Sequence, residues 1–375
     1  MFLIERLVSL TAYAAVLLIA CGLMGLVRKK QYKLVLGLYL LCLGVFAFAY
    51  KPYKSADLYR LREYIQYWIH GSWAGMIRQA IRHSSPAWVV FSYVTNRLGN
   101  INWMQTVACL WCFGNIFYLI SHEIERKKLV KAQRSLLLFF VMAVGALFLQ
   151  TISGIRSMLG ISIIAFCVYR ETVEGKSLGW HLLLYLFAAL LHTSTLVLVL
   201  SRFAVLFLQY RDPKMKILMA VSILFLGLFA LFYLRDYVSS AVANGLLYLT
   251  NRKEYTYGWE ILIGLLEALE TVLILHRYRK HKACRDRAHD SLWSFCAIWT
   301  AVSLAAAPFS YAIFRRYTIF CTLIVLPLLA KIMQEEQEKN RGRSRFLLLL
   351  WTLSLAVFAL SWVRGDLCGY KFFVL

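Results

Sequence analysis

A chain of 375 residues with 61% hydrophobic residues, 16% charged residues and a mean hydropathy of +0.62 is not a water-soluble globular domain, in which roughly a quarter of residues are charged. No soluble core of this length hides so much apolar surface, so lipid must serve as part of its solvent. The net charge of +23 does not indicate nucleic acid, because the basic residues stand in short runs between apolar segments: Arg28-Lys29-Lys30, Arg126-Lys127-Lys128, Arg277 to Arg287 and Arg341 to Arg345. Such runs hold loops on the cytoplasmic side, against anionic headgroups.

Apolar stretches of spanning length fall at about 6–27, 33–50, 101–121, 135–150, 156–170, 178–191, 193–210, 217–234, 258–276, 291–308, 315–333 and 346–363, given that a crossing takes roughly 20 residues. The expected fold is an all-α polytopic membrane protein with about twelve transmembrane helices, within a range of about ten to thirteen. With five prolines and no long polar tract, residues 1–375 read as a single transmembrane domain. The first segment is too long for a secretory signal and lacks a small-residue cleavage site, so it reads as the first span. Alternating the helices from an outer N-terminus places most of the 42 lysines and arginines on inner loops, and both termini then face outward.

This topology puts residues 51–100 outside. Tyr50, Tyr53, Tyr59, Tyr64, Tyr67, Trp68 and Trp73 interleave there with Lys51, Lys54, Arg60, Arg62, Arg78 and Arg82, a mixture suited to a short helix lying in the headgroup layer. A second outer loop, 235–257, is also aromatic and polar. No internal repeat is present to support an inverted-repeat transporter.

Charged groups in or at the ends of membrane helices are costly and therefore informative. Gln150-Thr-Ile-Ser-Gly-Ile-Arg156 is a short outer turn with an arginine opening the next helix. There the guanidinium fork and the helix N-terminus both favour a phosphate; an arginine snorkelling to headgroups is the structural alternative. His192 lies within about thirty apolar residues, as a packing residue or, if the chain reverses there, as a donor or proton carrier beside Arg156. Arg315-Arg316-Tyr317 opens a late span on the outer side, against the positive-inside bias, so the pair is suited to pyrophosphate or to interfacial anchoring.

Asp57 and Glu63 are the carboxylates of the first outer segment. Asp57 is a candidate base for a sugar hydroxyl, or a simple partner of Arg60 or Arg62. Glu260, Glu267 and Glu270 follow along 258–276, with Glu260 and Glu267 near one face; structural pairing with Arg202 is an equal reading. Of nine cysteines, Cys109-Leu-Trp-Cys112 has metal-like spacing but no second pair, so core packing is expected. No P-loop, dinucleotide fingerprint, HExxH or Gly-x-Ser-x-Gly elbow occurs, and no outer carboxylate cluster suggests a metal.

Asp57-Leu-Tyr59 after the second helix, Ser153-Gly-Ile-Arg156 before a helix rich in small residues, the isolated His192, and Arg315-Arg316-Tyr317 opening a late helix together resemble the EpsG family. These are Wzy-type polymerases of bacterial exopolysaccharide, capsule and O-antigen. The similarity runs over roughly 40 to 335. The chain departs from the pattern at Ser84-Ser85-Pro86, where an acidic residue tends to precede the proline, and at Ser157, where glutamine is common.

The resemblance implies a GT-C-like membrane glycosyltransferase in the bacterial cytoplasmic membrane. It would join undecaprenyl-pyrophosphate-linked oligosaccharide units at the outer face, using no cofactor, metal or nucleic acid, with membrane lipid and other polysaccharide assembly proteins as partners. In that reading Arg156, Arg315 and Arg316 bind pyrophosphate, His192 orients or protonates a phosphate oxygen, and Arg156 and His192 are catalytic with Asp57 as base. Tyr59, Arg60, Glu260 and Tyr317 contact sugar. The rival readings are a flippase or transporter of lipid-linked sugars and a membrane acyltransferase with His192 as base.

Overall fold

The computed structural model describes residues 2–28, 30–52, 57–66, 71–144, 148, 151–152, 154–209, 217, 220–221, 239, 243, 246, 258–280, 286–338 and 345–363. Among them are fifteen helices and no strand. The helices are α1 (Phe2–Leu26), α2 (Tyr32–Ala49), α3 (Asp57–Gln66), α4 (Trp73–Arg82), α5 (Pro86–Asn96), α6 (Asn102–Lys127), α7 (Lys131–Ala143) and α8 (Ile155–Thr172). They continue with α9 (Gly179–Leu191), α10 (Thr193–Gln209), α11 (Gly258–Lys280), α12 (Arg287–Ala306), α13 (Tyr311–Ile324), α14 (Leu326–Glu338) and α15 (Arg345–Val363). Helices cover the apolar segments read from the sequence wherever those are described, apart from the last part of 135–150 and the break within 315–333; most of 217–234 and of the loop 235–257 lies outside the described residues.

Two regions differ from the sequence reading. The expected span 315–333 is two helices, α13 and α14, bent by 42°. Pro327 stands at the second position of α14, where it has no backbone N–H to give the preceding turn, and the chain restarts with Leu328 N and Leu329 N both bonded to Val325 O. Residues 51–100, where one interfacial helix was expected, hold three helices among the described residues. Ser72 caps α4 by accepting the Gly75 N–H at 3.2 Å, and Pro86 opens α5, a favoured place for proline because its missing N–H would be unbonded anyway.

Helices α2 and α6 are each long and apolar enough to cross a bilayer, and α13 with α14 forms a third such unit. Shorter apolar stretches lie at Thr11–Leu26, Gly179–Leu191, Thr193–Phe207 and Arg345–Ser361. Large apolar side chains are exposed in stripes: Leu34, Leu38, Leu41 and Val45 on α2, and Leu262, Leu265, Leu269 and Val272 on α11. Continuous surfaces of this kind are not left to water by soluble proteins. Lipid is their solvent.

Helix α8 is the centre of the bundle, packed against α6, α9, α10, α12 and α13. Its small residues Ser157, Gly160, Ser162, Ala165 and Cys167 let neighbours approach closely, and all five are buried. A Cβ added at Gly160 would lie 2.6 Å from Thr195 Cγ2 on α10. Gly264 plays the same part between α11 and α13, where a Cβ would lie 2.6 Å from the Phe314 ring. Gly160 follows Arg156 by one helical turn and Thr195 follows His192 by three residues, so this contact sets the distance between those two side chains.

A β-branched side chain at position 160 must therefore push α8 from α10. Gly160→Val should destabilise the detergent-solubilised protein by about 1–3 kcal/mol in thermal melting, whereas Gly22→Val, with nothing within 4 Å of its added Cβ, should melt like the parent chain. Equal melting of the two variants would show that the close approach is absent.

Candidate functional site

Four elements meet around the N-terminal end of α8. Arg156, half-buried at the second residue of that helix, donates from Nη1 to Ser85 Oγ at 3.3 Å. Ser85 is the buried residue that leads into α5. Its backbone N–H is bonded in turn to His83 Nδ1 at 2.9 Å. One serine thus holds an arginine through its side chain and a histidine through its main chain.

The second arm is the break between α9 and α10. His192 is extended (φ −159°, ψ 143°), and its Nδ1 accepts the Ser194 N–H at 3.1 Å and lies 2.9 Å from Ser194 Oγ. The ring thereby caps α10, taking up one of the N–H groups that a helix start leaves without an intrahelical partner. An Nδ1 that accepts a backbone N–H carries no proton, so the neutral ring is protonated on Nε2. The ring sits in the electrostatic field of both Arg316 and Arg156. Sequence-distant α8, α10 and α13 thus bring Arg156, His192 and Arg316 into one neighbourhood.

The adjacent arginines of α13 serve different surroundings. Arg315 is buried and forms an ion pair with Glu267 of α11, made possible by the close crossing at Gly264. Arg316 is half-buried and near enough to His192 for its charge to act on the ring. Successive helical residues point about 100° apart, which turns Arg315 and Arg316 to different faces of α13. Tyr317 is buried, its ring 4.6 Å from that of Trp299, in the helix packing and not on an open surface.

Asp57 and Arg60 are exposed and form an ion pair at 2.9 Å on the first turn of α3. Tyr59 is half-exposed beside Glu63, whose carboxylate hydrogen-bonds with it. The side chain of Glu260 lies outside the described residues. The deep charges are paired differently from the sequence reading. Arg202 binds Glu171, with Nε at 3.0 Å and Nη2 at 2.9 Å from Oε2, while His181 takes the other oxygen at 3.1 Å. Glu267 goes to Arg315, and Glu270 accepts from Ser354 Oγ at 2.8 Å. Helices α9 and α10 both pack on α8, which brings His181 and Arg202 to Glu171, near the end of α8 opposite Arg156.

His83 and Ser85 were not singled out as site residues from the sequence. The signal was present as a repeat: His83-Ser84-Ser85 and His192-Thr193-Ser194 share the pattern His-x-Ser, and each histidine accepts the N–H two residues on. Burial first, and then the Arg156 charge, hold His83 below the usual histidine range. It is neutral at neutral pH.

The EpsG family model matches residues 61–373. The chain belongs to the EpsG family. The matched stretch contains His83, Ser85, Arg156, His192, Arg315 and Arg316 and begins after Asp57, Tyr59 and Arg60. No curated protein and no solved structure matches the chain. As an EpsG member it is a membrane protein of exopolysaccharide-polymerase type, a glycosyltransferase-like polymerase. Ser85, where family resemblance expects an acidic residue, is the residue bonded to Arg156.

The Arg315–Glu267 pair makes this division of labour testable. Glu267→Leu leaves Arg315 without its opposing charge and should destabilise the protein by about 3–5 kcal/mol in detergent melting. Adding Arg315→Met should restore most of that loss. A double variant no more stable than Glu267→Leu would show that the pair does not hold Arg315.

Proposed function

We propose that this EpsG protein is a Wzy-type polymerase that binds the pyrophosphate of an undecaprenyl-linked glycan between Arg156 and Arg316, at the outer face of the bacterial cytoplasmic membrane. The observation that carries this reading is the gathering of two arginines from separate helices about one histidine, beside a hydroxyl that accepts from one of them. Guanidinium groups carry charge at every working pH and match phosphate oxygens in a fork, and the start of α8 adds a partial positive charge. The twelve-span, GT-C-like topology with both termini outside belongs to the same proposal, with 51–100 as an outer aromatic and basic segment.

In the proposed reaction an acceptor hydroxyl oxygen attacks the anomeric carbon of the donor glycan. The bond from that carbon to the pyrophosphate oxygen breaks, its electron pair stays with the pyrophosphate, and the hydroxyl proton passes to a base. Arg156 and Arg316 stabilise the charge that grows on the leaving oxygen. His192 donates from Nε2 to a phosphate oxygen. Arg315 holds α13 in place through Glu267 and is outside the set that touches substrate. Asp57 is the base: its carboxylate is exposed, and Tyr64, two helical turns further along α3 and on the same face, lies beside His83 with ring centroids 5.3 Å apart. Glu260 is the reserve carboxylate, and Tyr59 and Arg60 offer contacts to sugar. Arg202, Glu267 and Glu270 are each engaged inside the protein, which speaks against the transporter reading.

Arg156→Ala, Arg316→Ala and His192→Ala should each abolish long polymer, let single repeat units accumulate outside the membrane, and leave the protein level unchanged. Single units retained inside would favour a flippase instead. Normal polymer from all three would refute the site. Arg156→Lys keeps the charge and loses the fork, so polymer formation should fall roughly ten- to a hundredfold, as expected for about 1.5–3 kcal/mol of charged hydrogen bonding.

Topology has its own check. In intact spheroplasts an impermeant maleimide should label Asn100→Cys, and should label Lys176→Cys only after lysis. The reverse pattern would place the arginine cluster on the cytoplasmic side.

A further inference from the structure

We propose that His83 is a second imidazole of the anion site, donating its Nε2–H to the same diphosphate that Arg156 holds. This rests on the diphosphate reading above and extends it to a residue outside the motifs that carried it. The geometry begins at Ser85, which is bonded to both groups: its N–H to His83 Nδ1 at 2.9 Å and its Oγ to Arg156 Nη1 at 3.3 Å. Two groups tied to one residue share one neighbourhood.

The orientation of the ring is fixed from two sides. Nδ1 is engaged by the backbone N–H, so the remaining ring nitrogen of the neutral side chain can only donate. The ring lies beside Tyr64 of α3, tilted by 43° with centroids 5.3 Å apart, and Tyr64 is itself held as the acceptor of Gln79 Nε2. His192 has the same arrangement across the site: extended backbone between two helices, Nδ1 bonded to the N–H two residues later, and a ring in the field of Arg156. His83 is likewise extended (φ −91°, ψ 144°) at the end of α4 and feels the Arg156 charge. The arginine is thus served by two histidine turns of the same construction. Both are neutral N–H donors, which add hydrogen bonds to a phosphate without adding fixed charge.

Two substitutions separate the edges of the ring. Asparagine can accept the Ser85 N–H where Nδ1 does, an Asx turn, but has nothing at the reach of Nε2. Glutamine places an amide N–H near Nε2 and gives up the turn. The probe is inorganic pyrophosphate titrated into the purified full-length protein, with melting temperature read in parallel. His83→Asn should weaken binding on the order of tenfold with an unchanged melting temperature, while His83→Gln should bind within about twofold of the parent chain and melt earlier.

Wild-type binding by His83→Asn, or weakening that comes only together with a fallen melting temperature, overturns the proposal and leaves His83 as a turn-holding residue. Arg156→Ala in the same titration separates the two levels of the argument. If it binds pyrophosphate normally, the diphosphate reading itself fails. If it loses binding while His83→Asn keeps it, only the role of His83 fails.

Discussion

A charge inside a bilayer needs an opposing charge or a full set of hydrogen-bond partners, and the need grows as water is withdrawn. The bundle meets this requirement in two ways. Two buried arginines face carboxylates: Arg202 meets Glu171, with His181 on the second oxygen, and Arg315 meets Glu267. At the N-terminal end of α8 the chemistry changes. There Arg156 meets a serine hydroxyl, and the rings near it and Arg316 are neutral imidazoles. Buried pairs of the first kind are internally neutral and fix helix against helix. A cluster of the second kind sets guanidinium and imidazole N–H donors close together, a combination suited to an anionic ligand.

That arrangement depends on how closely the helices approach. Glycine at 160 lets α8 lie against Thr195, and glycine at 264 lets α11 lie against Phe314. The first contact positions Arg156 beside the His192 turn; the second turns Arg315 inward and leaves Arg316 on the side of His192. Small residues are therefore part of the site although they touch no ligand. In lipid, where burial of apolar surface between helices brings little gain, such close van der Waals packing is a main source of association.

The helices were legible because their apolar runs are long and uninterrupted, and the arginine and histidine positions stood out against that background. What the sequence could not resolve was direction. Arg315 and Arg316 are neighbours with the same chemistry, and only the crossing of α11 and α13 decides which one meets Glu267. Arg202 looked equally able to pair with Glu267 until the packing of α9 and α10 on α8 brought it to Glu171. The break at Val325 was marked by Pro327, but the hydropathy runs through it undisturbed. His83 was hidden for the opposite reason: in a segment full of polar and aromatic residues one histidine carries no contrast, and its meaning comes from Ser85 and from the matching turn at His192.

The neutrality of the two imidazoles matters for turnover in the proposed reaction. Breaking the glycosidic bond adds one negative charge to the departing pyrophosphate, so the site must hold the transition state more strongly than the donor. Two permanent guanidinium charges recognise the diphosphate at the start. N–H donors on neutral rings gain strength as the leaving oxygen becomes more negative, and they do so without the long-range attraction that two further cations would exert on the product. Burial and the nearby Arg156 charge both oppose protonation of His83, so the environment that builds the anion site also keeps its second donor uncharged. A site that must release a lipid pyrophosphate after every addition is better served by that balance than by four fixed positive charges.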